Sequence, residues 1–386
     1  MKILLVSWPV LPMSGGSSVI IENLVRNFSA EEMVVLGSSR LIQNNRIKAR
    51  DNGVKFHYFR SELYFFGRGY RYFIWFRKWR FQPLIRKIKK IIVEEGITQV
   101  MGVYPNPFYC LAACRAAEEM QIPFSAYFHN TYADNLAIKD PQALKIQEEI
   151  FKRAKLIFVM SEGMQTFYKA KYGLSKFLPL LHTFNKKPGD GAMTSSSFVK
   201  KKTFHLVAIG NFNESNLEAT RRFLDTIKDH PKYKLHLYTH VPALLLKRRG
   251  LDPKYYQHCG SVSHDQIHGI LQKYDICLLT HGFTGGYGPI EYQTIFPTRT
   301  IPMLLSGKPI FAHSPKNSFL NQFLEKHKCA LIVDSKSATD IISGLDKIAD
   351  NPSLQRQLVE AANAASQQFY GPSVVADLKN ALKKIE

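Results

Sequence analysis

Short apolar runs alternate with amphipathic segments along the whole chain. Runs of about five apolar residues predict buried strands, and apolar positions three and four apart predict helices. Strands separated by helices are typical of a parallel, doubly wound sheet. In the first half, the predicted strands are 2–7, 33–36, 54–59, 99–103, 124–128 and 156–160, and the predicted helices are 17–28, a basic helix that ends at 95, 111–120 and 141–152.

A polar stretch of small residues, rich in Lys, Gly and Ser, lies between about 186 and 202 and predicts an interdomain linker. A second alternating series follows it. Its predicted strands are 204–209, 234–238, 275–279 and 330–333, and its predicted helices are 216–227, 264–271 and those from 337 onward. Because 386 residues exceed one ordinary core, we predict two domains.

The predicted fold class is α/β, with two Rossmann-like doubly wound domains. We expect the N-terminal domain at 1–188, the linker at 189–202 and the C-terminal domain at 203–365. A last helix at 366–386 is expected to pack back towards the N-terminal domain. Ligands are expected outside the carboxyl ends of the strands and in the cleft between the domains.

Composition indicates a soluble, cytoplasmic chain. No segment approaches the roughly 20 apolar residues that span a bilayer, and the apolar start of the chain is too short for a secretory signal. The five cysteines contain no C-x-x-C pair, so we expect reduced core residues.

Positive charge is concentrated in the N-terminal quarter. The net charge is +21, and residues 1–100 hold 17 Lys or Arg against 7 Asp or Glu. The densest part, 68–90, mixes basic and aromatic residues, which suits an acidic membrane surface. A solvated helix face with inward aromatics explains the same pattern. Nucleic acid is disfavoured, because no recognisable nucleic-acid module accompanies the charge. The predicted membrane-facing residues are Arg68, Arg71, Trp75, Arg77, Lys78, Trp79 and Arg80.

The segment 287–312 reads as a loop, a helix start, a tight turn and a buried strand. Pro297 suits the first turn of a helix, whose N–H groups can bind phosphate oxygens. Arg299 would add a charge-assisted donor. The pattern predicts an anion-binding pocket, although Pro at a helix start and Gly-Lys-Pro before a strand are also ordinary features of an α/β fold.

Two other glycine-containing turns follow predicted first strands. Gly15 and Gly16 precede the first helix, and Gly210 with Asn211 ends the first strand of the second half. Glycine allows the backbone to approach a ligand closely, but plain capped turns would have the same sequence. Neither turn has the dinucleotide fingerprint or a P-loop, which removes the usual support for hydride transfer and ATP hydrolysis.

Together these motifs resemble the retaining glycosyltransferases of family 4 over nearly the whole chain. The segments that carry the resemblance are Gly15-Gly16, 127–130, 158–162, 172–173, 208–211, 259–264, 274–279 and 306–309. The resemblance implies the GT-B architecture, in which two Rossmann-like domains face each other across a cleft. It also implies a nucleotide-diphosphate sugar donor, a glycan or lipid-linked acceptor, retention of configuration and no metal or other cofactor.

The resemblance also implies a set of site residues. His129 and Glu291 are the expected catalytic residues near the sugar. The expected donor-binding residues are Gly15, Gly16, Gly210, Asn211, Tyr287, Gly288, Thr298, Arg299 and Thr300. The main-chain amides of Gly16, Gly210 and the turn before Thr300 are expected to hold phosphate oxygens.

The chain departs from the family where the family has two glutamates eight positions apart. Thr294 and Pro302 stand there, so Glu291 is the candidate to replace the glutamate on the sugar side. The loop after the second domain's first strand also lacks the family's Arg and Lys, which leaves Arg299 to supply charge. The expected function is sugar transfer in cell-surface polysaccharide or lipopolysaccharide-type biosynthesis, and the expected location is the cytoplasm, with peripheral binding to the inner face of the plasma membrane. A GT-B-fold binding or partner subunit without catalysis is the alternative.

Overall fold

The computed structural model describes residues 1–10, 16–39, 52–60, 74–136, 140, 142–186, 201–263, 266–283 and 287–386, with the backbone alone at 39, 60 and 74–77. The chain divides into two compact units. Unit 1 comprises Met1–Asp134, Ile138–Asn185 and Gly371–Glu386. Unit 2 comprises Asn135–Ala137 and Lys186–Tyr370. The predicted linker at 189–202 lies mostly outside the described residues.

The first half of the chain contributes seven described strands and five described helices. The strands are β1 (Ile3–Ser7), β2 (Met33–Ser39), β3 (Lys55–Arg60), β4 (Gln99–Tyr104), β5 (Phe124–Phe128), β6 (Leu156–Val159) and β7 (Phe177–Pro179). The helices are α1 (Gly16–Val25), α2 (Ile74–Glu95), α3 (Pro107–Glu119), α4 (Ala143–Arg153) and α5 (Glu162–Tyr172).

The second half repeats this alternation. Its strands are β8 (Phe204–Ile209), β9 (Tyr233–Tyr238), β10 (Tyr256–His258), β11 (Ile276–Thr280), β12 (Ile310–His313) and β13 (Leu331–Val333). Its helices are α6 (Leu217–Ile227), α7 (Ala243–Arg248), α8 (Ile267–Leu271), α9 (Pro289–Thr294), α10 (Thr300–Leu304), α11 (Phe319–His327), α12 (Ala338–Ala349), α13 (Pro352–Ser366) and α14 (Gly371–Lys383). The last of these, α14, belongs to unit 1.

Each unit is built on one parallel sheet. The strand order is β3-β2-β1-β4-β5-β6-β7 in unit 1 and β10-β9-β8-β11-β12-β13 in unit 2. In both sheets the chain runs outward from the first strand and then returns to its other side, so the order reverses between β1 and β4 and between β8 and β11. Crevices at such reversals are where open α/β sheets bind ligands.

Local sequence explains the helices of unit 1 that carry clear end signals. Asn106 caps α3 by accepting from the Tyr109 N–H at 3.2 Å, and Pro107 occupies the first helical position. Ser161 caps α5 in the same way, and Gly173 ends it in the left-handed conformation at φ 65°. The apolar face of α14 packs into the same core as β1, β2 and α1.

In unit 2, α6 packs its apolar face on β8, β9 and α12. Phe223 is fully buried there, and its truncation to alanine would cost roughly 3–5 kcal/mol. A hydrogen bond of 2.7 Å joins the Thr220 hydroxyl of α6 to that of Thr280 at the end of β11. Packing and this bond therefore fix α6 against the two strands that flank the reversal of strand order.

The structure confirms the predicted α/β class, with two parallel sheets and helices. Most predicted strands lie within a residue or two of their observed bounds, and β5 and β8 coincide with them. The strands β7 and β10, each of three residues, were not predicted from the sequence. In the part of the chain that is described, no helix is long and apolar enough to cross a bilayer.

Candidate active site

The carboxyl ends of β8 and β11 bring several predicted donor-site residues together in unit 2. Gly210 follows β8, His281 follows β11, and Arg299 precedes α10. The Gly282 N–H donates to the Ser215 carbonyl at 2.8 Å, which ties the loop after β11 to the loop after β8. The two loops therefore form one continuous edge at the reversal of strand order.

Arg299 lies against both loops. Its Nη2 donates to the Thr280 carbonyl at 2.6 Å, and a methyl group at Gly210 would lie 3.6 Å from its Nη1. Burial lowers the pKa of its guanidinium to about 10, so it stays charged at neutral pH. No carboxylate of the described residues pairs with it. The edge therefore carries a positive charge that no acidic side chain there neutralises.

The α9 helix, which carries Glu291, lies beside the loop after β11, because a methyl group at Gly282 would lie 3.3 Å from Tyr292 Cβ. Gly288 precedes the helix at φ 86°, a conformation that glycine adopts without strain, and Pro289 takes the first helical position. The Tyr287 carbonyl accepts the Leu136 N–H at 3.2 Å. A methyl group at Gly288 would lie 2.7 Å from Leu136 Cδ1, so these two loops touch closely.

The pKa of the Glu291 carboxyl group departs from its ordinary value of 4.5. Burial raises its pKa to about 7, because charge is poorly solvated there. Thr294, one turn further along α9, donates its hydroxyl to the Ile290 carbonyl at 2.6 Å, and Pro302 is buried in α10. Neither position offers a carboxylate, so Glu291 alone supplies an acidic side chain on this helix.

Two predicted phosphate-binding amides are already used by the backbone. The Gly210 N–H donates to the Tyr238 carbonyl at 3.1 Å, and the Thr300 N–H donates to the Pro297 carbonyl at 2.9 Å. The expected helix start at Pro297 is also wrong, because Pro297 begins a turn and α10 starts at Thr300. Gly210 instead contributes the absence of a side chain beside Arg299, at φ 136°.

Several buried polar atoms lie near Arg299 or in the loop before α6 without a partner among the described residues. These are both ring nitrogens of His281, the Thr300 hydroxyl and the Asn216 side-chain oxygen. Burial, together with the nearby charge of Arg299, lowers the pKa of His281 to about 3. His281 is therefore neutral. An unpaired buried polar group costs about 1–3 kcal/mol, so the site is suited to a polar ligand or to water.

Sequence reasoning missed His281 and also Arg249, which reaches the loop after β8 from the end of α7. The Arg249 Nη1 donates to the carbonyls of Asn211 and Phe212 at 3.3 and 3.2 Å. A polar residue directly after a buried strand was the available signal for His281. No local pattern marks Arg249, because it is 38 residues from Asn211.

In unit 1, His129 lies at the end of β5 and is 4% exposed. Its Nε2 is 2.8 Å from the Ser17 Oγ, so it contacts the first turn of α1, which begins at Gly16. Burial lowers the pKa of His129 to about 3, and the neighbouring His182 contributes to the shift. The ring is neutral and provides one hydrogen-bond donor and one acceptor. Gly15 lies outside the described residues.

The predicted membrane-facing segment is only partly described. Arg68 and Arg71 lie outside the described residues, and Trp75 and Arg77 are described by their backbone in α2. Lys78 and Trp79 are exposed, Trp79 to 64%, whereas Arg80 is half-buried over the Phe59 ring at 4.4 Å.

Within the described ranges, no three His, Cys, Asp or Glu side chains are grouped as they would be to hold a metal ion.

Comparisons with known proteins agree with this architecture. Residues 14–177 match the family model described as Glycosyltransferase Family 4. No curated protein sequence matches the chain.

Solved structures match over the full length. Sucrose-phosphate synthase from Thermosynechococcus elongatus is similar at 13% identity and a TM-score of 0.72, covering 99% of this chain and 98% of that one. HepE of Anabaena, solved with UDP and glucose, is similar at 13% identity and a TM-score of 0.71, with 100% of both chains covered. The lipopolysaccharide outer core galactosyltransferase WaaB is similar at 14% identity and a TM-score of 0.64, covering 100% and 99%. At such low identity these similarities show the fold.

The family match and the shared fold support the same assignment. The match at 14–177 lies almost entirely in unit 1, and the structural similarity extends through unit 2. Together they identify the protein as a glycosyltransferase of the GT-B fold, in which residues 14–177 match the Glycosyltransferase Family 4 model.

Proposed function

We propose that the protein transfers a sugar from a nucleotide-diphosphate sugar to a glycan or lipid-linked acceptor. The observation that carries the proposal is the position of Arg299, charged and unpaired with any described carboxylate, at the carboxyl edge of β8 and β11. A diphosphate leaving group develops negative charge as the sugar departs, and a fixed guanidinium stabilises that charge.

Structural neighbours support this class of donor. HepE was solved with UDP-glucose, and Staphylococcus aureus TarM was solved with UDP. UDP-sugars are therefore the first donors to test, followed by those of guanosine and adenosine. The similarity to WaaB supports an acceptor in cell-surface polysaccharide or lipopolysaccharide-type synthesis.

The proposed chemistry breaks the bond between the anomeric carbon and the diphosphate oxygen and forms a bond from that carbon to an acceptor oxygen. The acceptor proton passes to the leaving phosphate, and attack on the same face retains the anomeric configuration. Glu291, with a pKa of about 7, can donate or accept a hydrogen bond to a sugar hydroxyl. The neutral ring of His129, in unit 1, can donate or accept a hydrogen bond to a hydroxyl group.

We propose that no metal is required, because the arginine charge takes the part that a divalent cation plays in other transferases. Turnover with EDTA should equal turnover without it. Loss of activity in EDTA and recovery with Mg²⁺ or Mn²⁺ would contradict this part of the proposal.

A panel of nucleotide sugars, with product detection by mass spectrometry, tests the main proposal. We expect hydrolysis or transfer with one donor class, and a large loss in Arg299→Gln. Binding of a nucleotide diphosphate without any turnover, across all donors and acceptors, would favour the non-catalytic subunit. Failure of every nucleotide diphosphate to bind would refute the donor site.

We also propose that the protein binds peripherally to the cytoplasmic face of the plasma membrane through α2. Trp79, Arg86, Lys90 and Val93 recur at spacings that place them on one helix face, and all four are exposed. Trp79 and Val93 are 64% and 70% exposed. An exposed face that combines aromatic, apolar and basic side chains favours the interface of an acidic bilayer.

Flotation with vesicles of phosphatidylglycerol and phosphatidylcholine tests the membrane proposal. Wild type should float with the acidic vesicles, and Trp79→Ser combined with Arg86→Glu should reduce that fraction severalfold. Lys247→Glu, at an exposed position of unit 2, is the control for net charge. Equal reduction by the control variant would show a general charge effect and would exclude docking through α2.

A further inference from the structure

A second guanidinium group lies at the loop between β8 and α6. Arg249 follows α7, and its Nη1 donates to the main-chain carbonyls of Asn211 and Phe212. The Arg249 carbonyl in turn accepts from Arg221 Nε of α6. The Arg249 backbone is thus tied to one helix and its side chain to the loop, which restricts where its charge can be.

The two arginines border consecutive residues of this loop. Arg299 lies beside the Cα of Gly210, and Arg249 holds the carbonyl of Asn211. Neither guanidinium forms an ion pair with a carboxylate of the described residues. Each guanidinium is therefore a positive charge beside this loop that no described carboxylate neutralises, and an anion that contacts both would be favoured.

Acidic groups also face this region and affect the balance of charge. Burial raises the pKa of the Tyr287 hydroxyl, Glu291 and Glu214 raise it further, and Arg249 lowers it. These side chains are therefore within electrostatic reach of Tyr287. Glu291 has a pKa of about 7 and so is partly neutral near neutral pH. The positive charge of the arginines is therefore not cancelled by this carboxyl group.

Arg249 also retains capacity for a ligand. A guanidinium has five N–H donors, and the described contacts use only Nη1. The Arg249 side chain is partly exposed, so its other nitrogens can be reached. Phosphate oxygens accept hydrogen bonds from such a fork and gain charge assistance from it.

We propose that Arg249 is a second phosphate-binding residue, which acts with Arg299 on the diphosphate of the donor at the Gly210–Phe212 loop. This inference rests on the proposed function, because it assigns a residue to the same donor site. In this arrangement the loop carbonyls hold the Arg249 guanidinium in place, and Arg249 and Arg299 bind the same diphosphate.

The competing explanation is that Arg249 only clamps the loop. Arg249→Gln separates the two roles, because a glutamine amide can still donate to a carbonyl but carries no charge. Arg249→Lys keeps the charge and loses the planar fork. Arg248→Gln is the matched control, since Arg248 is the adjacent exposed residue of α7 and makes no described contact with the loop.

Titration calorimetry with UDP, GDP and ADP first identifies the diphosphate that wild type binds. The affinity of each variant for that diphosphate is then measured, and its affinity for the corresponding nucleoside is measured by ligand-observed NMR. We expect Arg249→Gln to weaken diphosphate binding about 10- to 100-fold and nucleoside binding less than twofold. Arg249→Lys should lie between this variant and wild type, and Arg248→Gln should match wild type.

Three other outcomes would refute the role of Arg249 in phosphate binding, and one of them would also refute the proposed function. Unchanged diphosphate affinity in Arg249→Gln refutes the role of Arg249 and leaves the proposed function standing. Equal loss of diphosphate and nucleoside affinity, with a lower melting temperature, identifies a loop clamp and refutes phosphate binding. Failure of wild type to bind any nucleoside diphosphate refutes the proposed function and this inference together.

Discussion

The carboxyl edges of the two sheets have the same backbone plan but different electrostatics. Both edges follow parallel strands at or near a reversal of strand order. In unit 1 the groups brought together are neutral, namely His129 and the Ser17 hydroxyl. In unit 2 the edge carries the charged Arg299 beside Gly210, with neutral His281 nearby.

Burial explains the difference because it acts on residues with different starting pKa values. It lowers the pKa of His129 and of His281 to about 3, which leaves both rings uncharged at any ordinary pH. It lowers the pKa of Arg299 only to about 10, so the guanidinium keeps its charge. The carboxyl edge of the unit 1 sheet therefore offers hydrogen bonds without charge, whereas the carboxyl edge of the unit 2 sheet carries a positive charge. We infer that unit 1 contacts hydroxyl groups and unit 2 contacts phosphates.

The largest expected effect is a loss of nucleotide affinity on substitution at the unit 2 edge, with little loss on substitution at the unit 1 edge. Arg299→Gln should weaken binding of the nucleoside diphosphate about 100-fold, because it removes a buried charge-assisted donor. His129→Asn should change the same affinity less than twofold. Calorimetry on both variants measures this contrast, and comparable losses at the two positions would contradict it.

The second prediction concerns stability against pH. The pKa of Glu291 is raised to about 7 in the folded protein from an ordinary 4.5, so the native state binds more protons than the unfolded state between these values. The Glu291 contribution to stability should therefore fall as pH rises through this window, by about 2 kcal/mol after allowance for partial exposure. Glu291→Gln should remove this contribution, so the stability of the variant relative to wild type should increase by that amount from pH 4.5 to 7.5 in urea titrations.

His129 should have the opposite sign in that measurement. Its pKa is lowered to about 3 in the folded protein from an ordinary 6.5, so the unfolded state binds more protons between these values and the His129 contribution to stability should rise with pH. His129→Asn should therefore lose less stability than wild type as the pH falls from 7.5 to 4.5. A stability difference between Glu291→Gln and wild type that does not change with pH would show that Glu291 does not titrate there.

The third prediction compares two glycines. Gly210 has φ 136°, so Gly210→Ala should destabilise the protein by about 1–3 kcal/mol. Gly16, the first residue of α1, has no neighbouring atom within 4 Å of an added methyl group, so Gly16→Ala should change stability by less than about 0.5 kcal/mol. Chemical denaturation measures both. Equal destabilisation at the two positions would contradict the expected difference in backbone strain between Gly210 and Gly16.

The smallest expected effect is catalytic. His129→Asn should lower kcat about three- to tenfold, the amount associated with one neutral hydrogen bond, while the melting temperature changes little. Ser17→Ala, which removes the partner of the ring, should have a smaller effect in the same direction. An unchanged kcat in both variants would exclude a contact between His129 and the sugar.

The long buried strands could be predicted from the sequence, because each is an uninterrupted apolar run. β5 and β8 are examples. β7 and β10 could not be predicted, because three residues are too few to show a pattern and both lie at sheet edges, where one neighbouring strand suffices. Prediction thus succeeded where burial on both faces constrains composition.

The candidate site divides in a similar way. Arg299, Glu291 and Gly288 were predicted because they are close together in sequence, with glycine and proline marking the turns. The helix start at Pro297 was wrong because the fixed φ of proline suits both a helix start and a turn. Arg249 and His281 could not be assigned, since their contacts depend on tertiary packing across loops.

The short segment Asn135–Ala137 belongs to unit 2 although the chain on either side of it belongs to unit 1. Leu136 covers Gly288 and donates to the Tyr287 carbonyl. A fragment of 186–370 would therefore lack three of the residues that complete its own fold, and one of 1–185 would lack α14. Exchange of a whole domain between related enzymes would therefore have to include the segment Asn135–Ala137 or α14 with the domain to which each belongs. The units that could be exchanged are not the two halves of the gene.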